Sequence, residues 1–344
     1  MNAAHFPLLN DYQRDFPLVS RPFAVLGEAQ GLTEAEVLEQ YRHWQQEGLV
    51  NRIGAVFAPR RVGASTLAAL QAPPERLEWV AGRVSAHPEV NHNYAREHTY
   101  NLWFVATAPD LLRLGQVLAA IEVETGCPVI SLPLVEEFHI DLGFDLSGSA
   151  ARRQPVAAVP SLDQPIALTA EERRLMPVLQ EGLPLEPRPF KALAYRAEMG
   201  EERLLALLGE WLQRGILKRF GVVVRHHELG YTANAMCVWA VPEEEVSALG
   251  ERLAAEPGVT LCYRRRAQLP HWPYNLFCMI HGKARDEVAE LRRSLGERLG
   301  LDAHPHDLLF STRRYKQTGA QYAPKAPRAD APPAAGMPRE AAHG

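Results

Sequence analysis

The chain has 344 residues, 47% of them hydrophobic and 23% charged, a balance that suits roughly two soluble folded domains. Its net charge of −4 supplies no overall basic field to draw it to nucleic acid or an anionic membrane. Cys127, Cys237, Cys262 and Cys278 show neither CxxC nor zinc-type spacing, the start (Met1 to Asp15) lacks a signal-like basic and apolar pair of regions, and no apolar run approaches ~18 residues, so a cytoplasmic protein with no membrane partner is expected.

In chain order, the elements occur twice. A short apolar helix at Leu8–Tyr12 precedes a Pro-containing turn, and the capping box Thr33-x-x-Glu36 then opens a helix with Val37, Leu38, Tyr41 and Trp44 on one face. That helix stops at Gly48, and a β-rich stretch, Ile53–Phe57, follows. The spacing then predicts strand Thr66–Ala72, helix Glu75–His87, strands Val90–Arg96 and Asn101–Ala108, helix Leu111–Gly126 and strand Val129–Leu134. The second pass matches Phe16-Pro17-Leu18-Val19-Ser20-Arg21-Pro22-Phe23 with Leu183-Pro184-Leu185-Glu186-Pro187-Arg188-Pro189-Phe190. The same offset sets Trp44 on Trp211, and Gly48-Leu49-Val50-Asn51-Arg52-Ile53-Gly54 on Gly215-Ile216-Leu217-Lys218-Arg219-Phe220-Gly221. Its first helix, Leu175–Leu179, follows the capping box Thr169-x-x-Glu172, and Phe220–Val224 is the first strand. Then come Thr232–Val241, Glu243–Glu256, Val259–Arg266, Asn275–His281, Arg285–Leu299 and Leu308–Tyr315, with an insertion, Gln268 to Pro273, that the first copy lacks.

Helix, turn, helix, strand is the outline of a winged helix-turn-helix, and β-α-β-β-α-β that of a ferredoxin-like unit. The fold class is therefore α+β, with two tandem copies of both parts in one pseudo-dimeric chain. The expected boundaries are 1–62 and 63–146 for the first copy, a linker over 147–166, 167–229 and 230–320 for the second copy, and a disordered tail over 321–344.

The densest polar cluster is His92-Asn93-Tyr94-Ala95-Arg96-Glu97-His98. Alternation places His92, Tyr94, Arg96 and His98 on one sheet face, offering two imidazoles, a phenol and a guanidinium, the groups a polyanionic ligand needs. A solvated or hydrogen-bonded sheet face is the plainer alternative. The matching segment of the second copy carries Arg264, Arg265 and His271, and the end of the last strand carries Arg313, Arg314 and Lys316. The first-copy counterpart of that last patch, Glu136-Glu137-Phe138-His139, is acidic, which suggests one working site or two unequal ones. The second helix of the first helix-turn-helix bears Glu34, Glu36, Glu39 and Glu47 against Arg42 and His43, a poor match to phosphate, so DNA is not an expected partner.

Three blocks resemble the siroheme decarboxylases, Lrp/AsnC-like proteins of heme d1 and alternative heme biosynthesis, in their fused NirDL form. They are His92-Asn93-Tyr94-x-Arg96-x-His98-x-Tyr100-Asn101-Leu102-Trp103-Phe104, Trp272-Pro273-Tyr274-Asn275-Leu276-Phe277, and Leu309-Phe310-Ser311-Thr312-Arg313-Arg314-Tyr315-Lys316-Gln317. The resemblance covers nearly the whole chain up to about Gly319. It implies loss of the carboxyl groups of two acetate side chains of siroheme, giving 12,18-didecarboxysiroheme. It implies catalytic roles for His92, Tyr94, Arg96 and His98, with His92 or His98 as an axial ligand of the substrate's iron. It implies substrate-holding roles for Arg264, Arg265, His271, Arg313, Arg314 and Lys316. No separate cofactor is expected, since the iron belongs to the substrate. Other heme d1 biosynthesis proteins, and a second fused chain in a homodimer, are the expected protein partners. One departure concerns Leu261, which stands before Cys262-Tyr263 where the family pattern has a His; only His92 keeps that place. The alternatives are a tetrapyrrole-responsive transcription regulator of the Lrp/AsnC type and a heme carrier without catalysis.

Overall fold

In the computed structural model, which describes residues 5–140, 166, 168–224 and 233–323, the strand that follows each helix-turn-helix pairs with its counterpart in the other copy. The first copy opens with α1 (Phe6–Asn10), α2 (Pro22–Gln30), α3 (Glu34–Gln46) and β1 (Val50–Phe57). Both capping boxes form: Thr33 N–H donates to Glu36 at 2.7 Å, and Thr169 N–H donates to Glu172 at 2.8 Å. The helices before β1 and its counterpart end where Gly48 and Gly215 take positive φ, +79° and +66°, which a Cβ would resist. A short α4 (Pro59–Val62) leads into the first sheet.

The second copy repeats the module as α7 (Ala170–Gln180), α8 (Pro189–Arg196), α9 (Glu201–Gln213) and β6 (Leu217–Val224). β1 and β6 run antiparallel, with Gly54 opposite Gly221. Because of this pairing the two modules share one core, in which Phe23, Tyr41, Trp44, Phe190, Leu208 and Trp211 are buried together. Each such side chain adds about 1.5–3 kcal/mol relative to exposure, which explains why neither module needs a wing hairpin of its own.

The remaining elements are β2 (Ala64–Leu70), α5 (Leu77–Ala86), β3 (Val90–Arg96), β4 (Leu102–Ala108), α6 (Leu111–Thr125) and β5 (Val129–Ile140) in the first copy. The second has β7 (Ala233–Trp239), α10 (Val246–Ala254), β8 (Val259–Arg265), β9 (Leu276–Gly282), α11 (Arg285–Leu299) and β10 (His306–Gln317). Each set forms the sheet expected of a βαββαβ unit, and the two close into one barrel of order β10-β3-β4-β2-β5-β8-β9-β7. Closure depends on two long strands. β5 pairs with β2 through its first half and with β8 through its second, and β10 pairs likewise with β7 and then β3. Both therefore run past the ends that one copy's periodicity sets, Leu134 and Tyr315.

Alternate strand residues separate two environments. Outward positions such as Phe104 and Ala106 pack under α5 and α6, and Cys278 and Ile280 pack under α10 and α11. Inward positions, including Leu67, Trp103, Met236, Tyr263, Phe277 and Leu309, form the barrel's own core. The expected linker falls almost wholly outside the described residues, as does the tail from residue 324. The boundary at 321 is corrected: Tyr322 is 3% exposed, edge-on to Phe57, and its N–H and that of Ala323 donate to the side-chain oxygen (Oε1) of Gln180. Among the described residues no helix is long and apolar enough to cross a membrane.

Candidate active site

Residues opposite one another in a β-ladder share a face, so the register assigns each polar side chain to the barrel interior or to the helix layer. On β3, Asn93 donates to the Ala81 carbonyl and the Ser85 hydroxyl of α5, both at 3.0 Å. Asn93 thus faces the helices, and His92, Tyr94 and Arg96 face inward. On β10, Ser311 lies opposite Arg96, Arg314 opposite Tyr94 and Gln317 opposite His92. These six residues share one face, which is buried at Arg96 and open to solvent at Arg314.

Arg96 is the electrostatic centre of that face. One guanidinium nitrogen donates to the Leu309 carbonyl at 3.0 Å, while Nε is buried without a hydrogen-bond partner. Burial pulls its pKa down, and no carboxylate among the described residues stands against it to oppose that shift. A buried, uncompensated guanidinium is costly unless an anion arrives to pair with it.

Beside it, burial pulls the His92 imidazole down to about 4. Asn91 fixes its tautomer. The Asn91 amide nitrogen donates to Thr107 at 3.4 Å, which turns its oxygen to His92 Nδ1, 2.8 Å away. The neutral ring therefore carries its proton on Nδ1 and keeps a lone pair on Nε2. His281 on β9 is also pulled down to about 4, first by burial and then by the Arg96 charge, and its Nδ1 lies 2.9 Å from Thr260 Oγ1.

His98 sits apart, in the turn after β3. Its Nδ1 accepts from Tyr100 N–H at 2.9 Å, its Nε2 is 3.3 Å from Asp307, and its ring stands edge-on to Trp272. Both nitrogens are engaged. Burial lowers its pKa, and Asp307 opposes that shift.

The second copy does not reproduce this site. Tyr263 and Arg265 repeat Tyr94 and Arg96, and Arg265 donates to the Leu132 carbonyl at 2.7 Å as Arg96 does to Leu309. At the place of His92, however, stands Leu261. Opposite Tyr263 lies Glu137, held by Lys218 of β6, where Arg314 stands in the first copy. The insertion fills the end of the barrel that the two copies share. Its Trp272, 1% exposed, lies between the two copies: it is edge-on to Trp103, which stands opposite Tyr94, with ring centroids 4.8 Å apart, and it stacks on Phe277, which stacks on Tyr263.

Several residues expected to hold substrate face elsewhere. Arg264 points to the helix layer and pairs with Glu243 and, at 3.8 Å, Glu136. Arg313 pairs with Glu78 of α5 at 2.8 Å. The Lys316 ammonium donates to the carbonyls of Ser85 and His87 at the end of α5. His271 is exposed on the insertion. The bulges in β10, which change register between Ser311 and Arg313 and again between Arg314 and Lys316, are what turn these neighbours outward. Sequence reasoning missed Asn91 and gave Ser311, Gln317 and His281 no role of their own; each acquires its place only through pairing between distant strands.

The helix-turn-helix segments at residues 7–50 and 172–217 match the siroheme decarboxylase NirDL-like HTH domain, and residues 61–139 and 228–316 match the AsnC-like ligand binding domain. A siroheme decarboxylase NirDL subunit of Paracoccus denitrificans is 46% identical over 94% of this chain and 98% of its own length. The chain belongs to the siroheme decarboxylase family. A siroheme decarboxylase of Hydrogenobacter thermophilus is 36% identical over 92% of this chain and 93% of its own. The crystal structure of the siroheme decarboxylase NirDL in co-complex with an iron-uroporphyrin III analogue superposes with a TM-score of 0.68 at 32% identity, covering 93% of this chain and 94% of that one.

Proposed function

We propose that this chain decarboxylates siroheme, releasing two acetate carboxyl groups as carbon dioxide to give 12,18-didecarboxysiroheme for heme d1 or alternative heme synthesis, and that it does so at one site, the inward face of β3 and β10. The observation that carries the single site is the neutral His92 beside Arg96, with Arg314 opposite Tyr94; the second copy keeps the arginine as Arg265 but has Leu261 in place of His92 and Glu137 in place of Arg314.

The substrate brings its own iron and its own ring of acids. Arg96 offers Nε to a carboxylate, and its planar fork favours a paired grip. Arg314 adds a second cation on the open side. His92 Nε2 presents its lone pair to the iron of the substrate. In each turnover the bond between the acetate methylene and its carboxyl carbon breaks, and the electron pair passes into the macrocycle. A proton then reaches the methylene carbon to form the methyl group. Tyr94, half-buried on the same face with its ring 5.9 Å from the Arg96 guanidinium carbon, is the side chain set to deliver that proton. Such general-acid help is typically worth about 10²–10⁴-fold. His98, locked by Asp307 and Tyr100, positions the turn and the end of β3.

The test is anaerobic incubation of the full chain with siroheme, followed by the mass of the tetrapyrrole. Loss of two carbon dioxide units is expected; binding with unchanged mass would leave only the carrier reading. Tyr94→Phe should lower kcat about 100-fold with little change in KM.

A further inference from the structure

The offset that aligns the two copies also pairs Arg52 on β1 with Arg219 on β6, two arginines that the decarboxylation chemistry above does not use. Both donate to a carbonyl three residues on: Arg52 to Ala55 at 2.7 Å, Arg219 to Val222 at 3.1 Å. Arg219 donates further to the Gln13 carbonyl and is 8% exposed. Arg52 instead lines a cleft of about 280 Å³ between the helix-turn-helix core and the barrel, with Asn51, Gln180, Thr318, Gly319 and Gln321.

Its charge is unanswered. Burial pulls the Arg52 guanidinium down to about 10, with no charged group acting on it, and Nε is buried without a partner. Glu181 lines the same cleft but is already paired with Arg196 at 2.6 Å. Gly319 leaves room for the guanidinium: a Cβ there would stand 3.0 Å from its central carbon.

The cleft adjoins the site already described. Thr318, which lines it, donates through its N–H to the carbonyl of Asn91 at 2.8 Å, and Gln317 lies opposite His92. Two residues of extended chain, roughly 7 Å, separate Gln317 from Gly319. We propose that this cleft is a carboxylate subsite of the same active site, in which Arg52 of the helix-turn-helix unit receives an acid side chain of the tetrapyrrole retained through the reaction. The inference rests on the siroheme reading, and it gives the helix-turn-helix unit a function: it supplies one wall of the substrate site.

The probe is iron-uroporphyrin III, titrated into the full chain, alongside siroheme turnover. Arg52→Gln should weaken binding of the probe about tenfold and raise KM for siroheme by a similar factor, with kcat within about twofold. Arg52→Lys should recover part of the loss. Gln321→Glu leaves Arg52 in place and adds a carboxylate to the cleft that competes for it, so it should weaken binding in the same direction even if Arg52→Gln fails to fold. Unchanged probe affinity in folded Arg52→Gln or in Gln321→Glu overturns the proposal, as does a fall in kcat with KM unchanged. Wild-type protein that binds the probe but never decarboxylates siroheme would defeat the decarboxylase reading, while the binding arm would still judge Arg52.

Discussion

Asn91 shows how one side chain without chemistry of its own sets the chemistry of the next. By donating to Thr107 it presents only an oxygen to His92, and so keeps the proton on Nδ1. Replacing it with Ala removes that constraint, and because outer partners of a ligating imidazole typically matter about 10–100-fold, turnover should fall by that factor while the fold persists. Steady-state turnover and a thermal melt separate the two effects. A second residue-scale consequence is pH dependence. His92 and His281 are both pulled to about 4 in the folded chain, against an ordinary value near 6.5. Between those values the unfolded chain binds the more protons, so stability is fully present above about pH 6.5 and is lost as pH falls toward 4. With both rings partly exposed, the loss is of order 2 kcal/mol each rather than the full shift. Melting temperatures between pH 7 and pH 4.5 should fall, and fall less in His92→Gln/His281→Gln. An equal fall in the double variant would place the acid sensitivity elsewhere.

At the scale of elements, the insertion Gln268–Pro273 does what length alone does not reveal. It drops Trp272 into the end of the barrel against Trp103, Tyr274 and Phe277, and the side-chain oxygen (Oε1) of its Gln268 accepts the Ser131 N–H of β5 at 2.8 Å. Trp272→Ala should cost about 3–5 kcal/mol, read as a lower denaturant midpoint at unchanged slope. Most elements were legible because their signals are local: both capping boxes, the helix stops at Gly48 and Gly215, and β3 at Val90–Arg96 follow from near neighbours alone. The expected last strand, Leu308–Tyr315, falls short of β10 by only two residues at each end, whereas β5 was read short because its second half, after Leu134, is a strand only through pairing with the other copy. For the same reason Arg313 and Lys316 read as site residues from sequence and turned outward in the ladder. Strict alternation carried His92, Tyr94 and Arg96 to one face correctly, but it stopped being a guide at His98, where the strand ends.

For the whole molecule, duplication followed by divergence gives a barrel whose two copies no longer offer the same polar face, on a helix-turn-helix pair in which many of the surface arginines are already committed. Arg42 donates to the Leu185 carbonyl of the other module at 2.9 Å, Arg188 and Arg196 pair with Glu201 and Glu181 at 2.6 Å each, Arg203 pairs with Glu171 at 3.0 Å, and Arg214 is held by the buried Glu172. A groove-reading helix needs such cations for phosphates, since phosphate contacts supply most of the affinity for DNA. Here, pairing with DNA would first require breaking these contacts and then bringing Glu34, Glu36 and Glu39 of α3 toward a polyanion, in a chain whose net charge is already −4. The expected outcome is no shift of genomic DNA fragments in gels run at low salt, with or without bound tetrapyrrole, at protein concentrations that saturate iron-uroporphyrin III binding. A salt-sensitive shift that appears only with tetrapyrrole would instead mean that the filled barrel rearranges the helix-turn-helix pair, because only a change of conformation could free those arginines for phosphate.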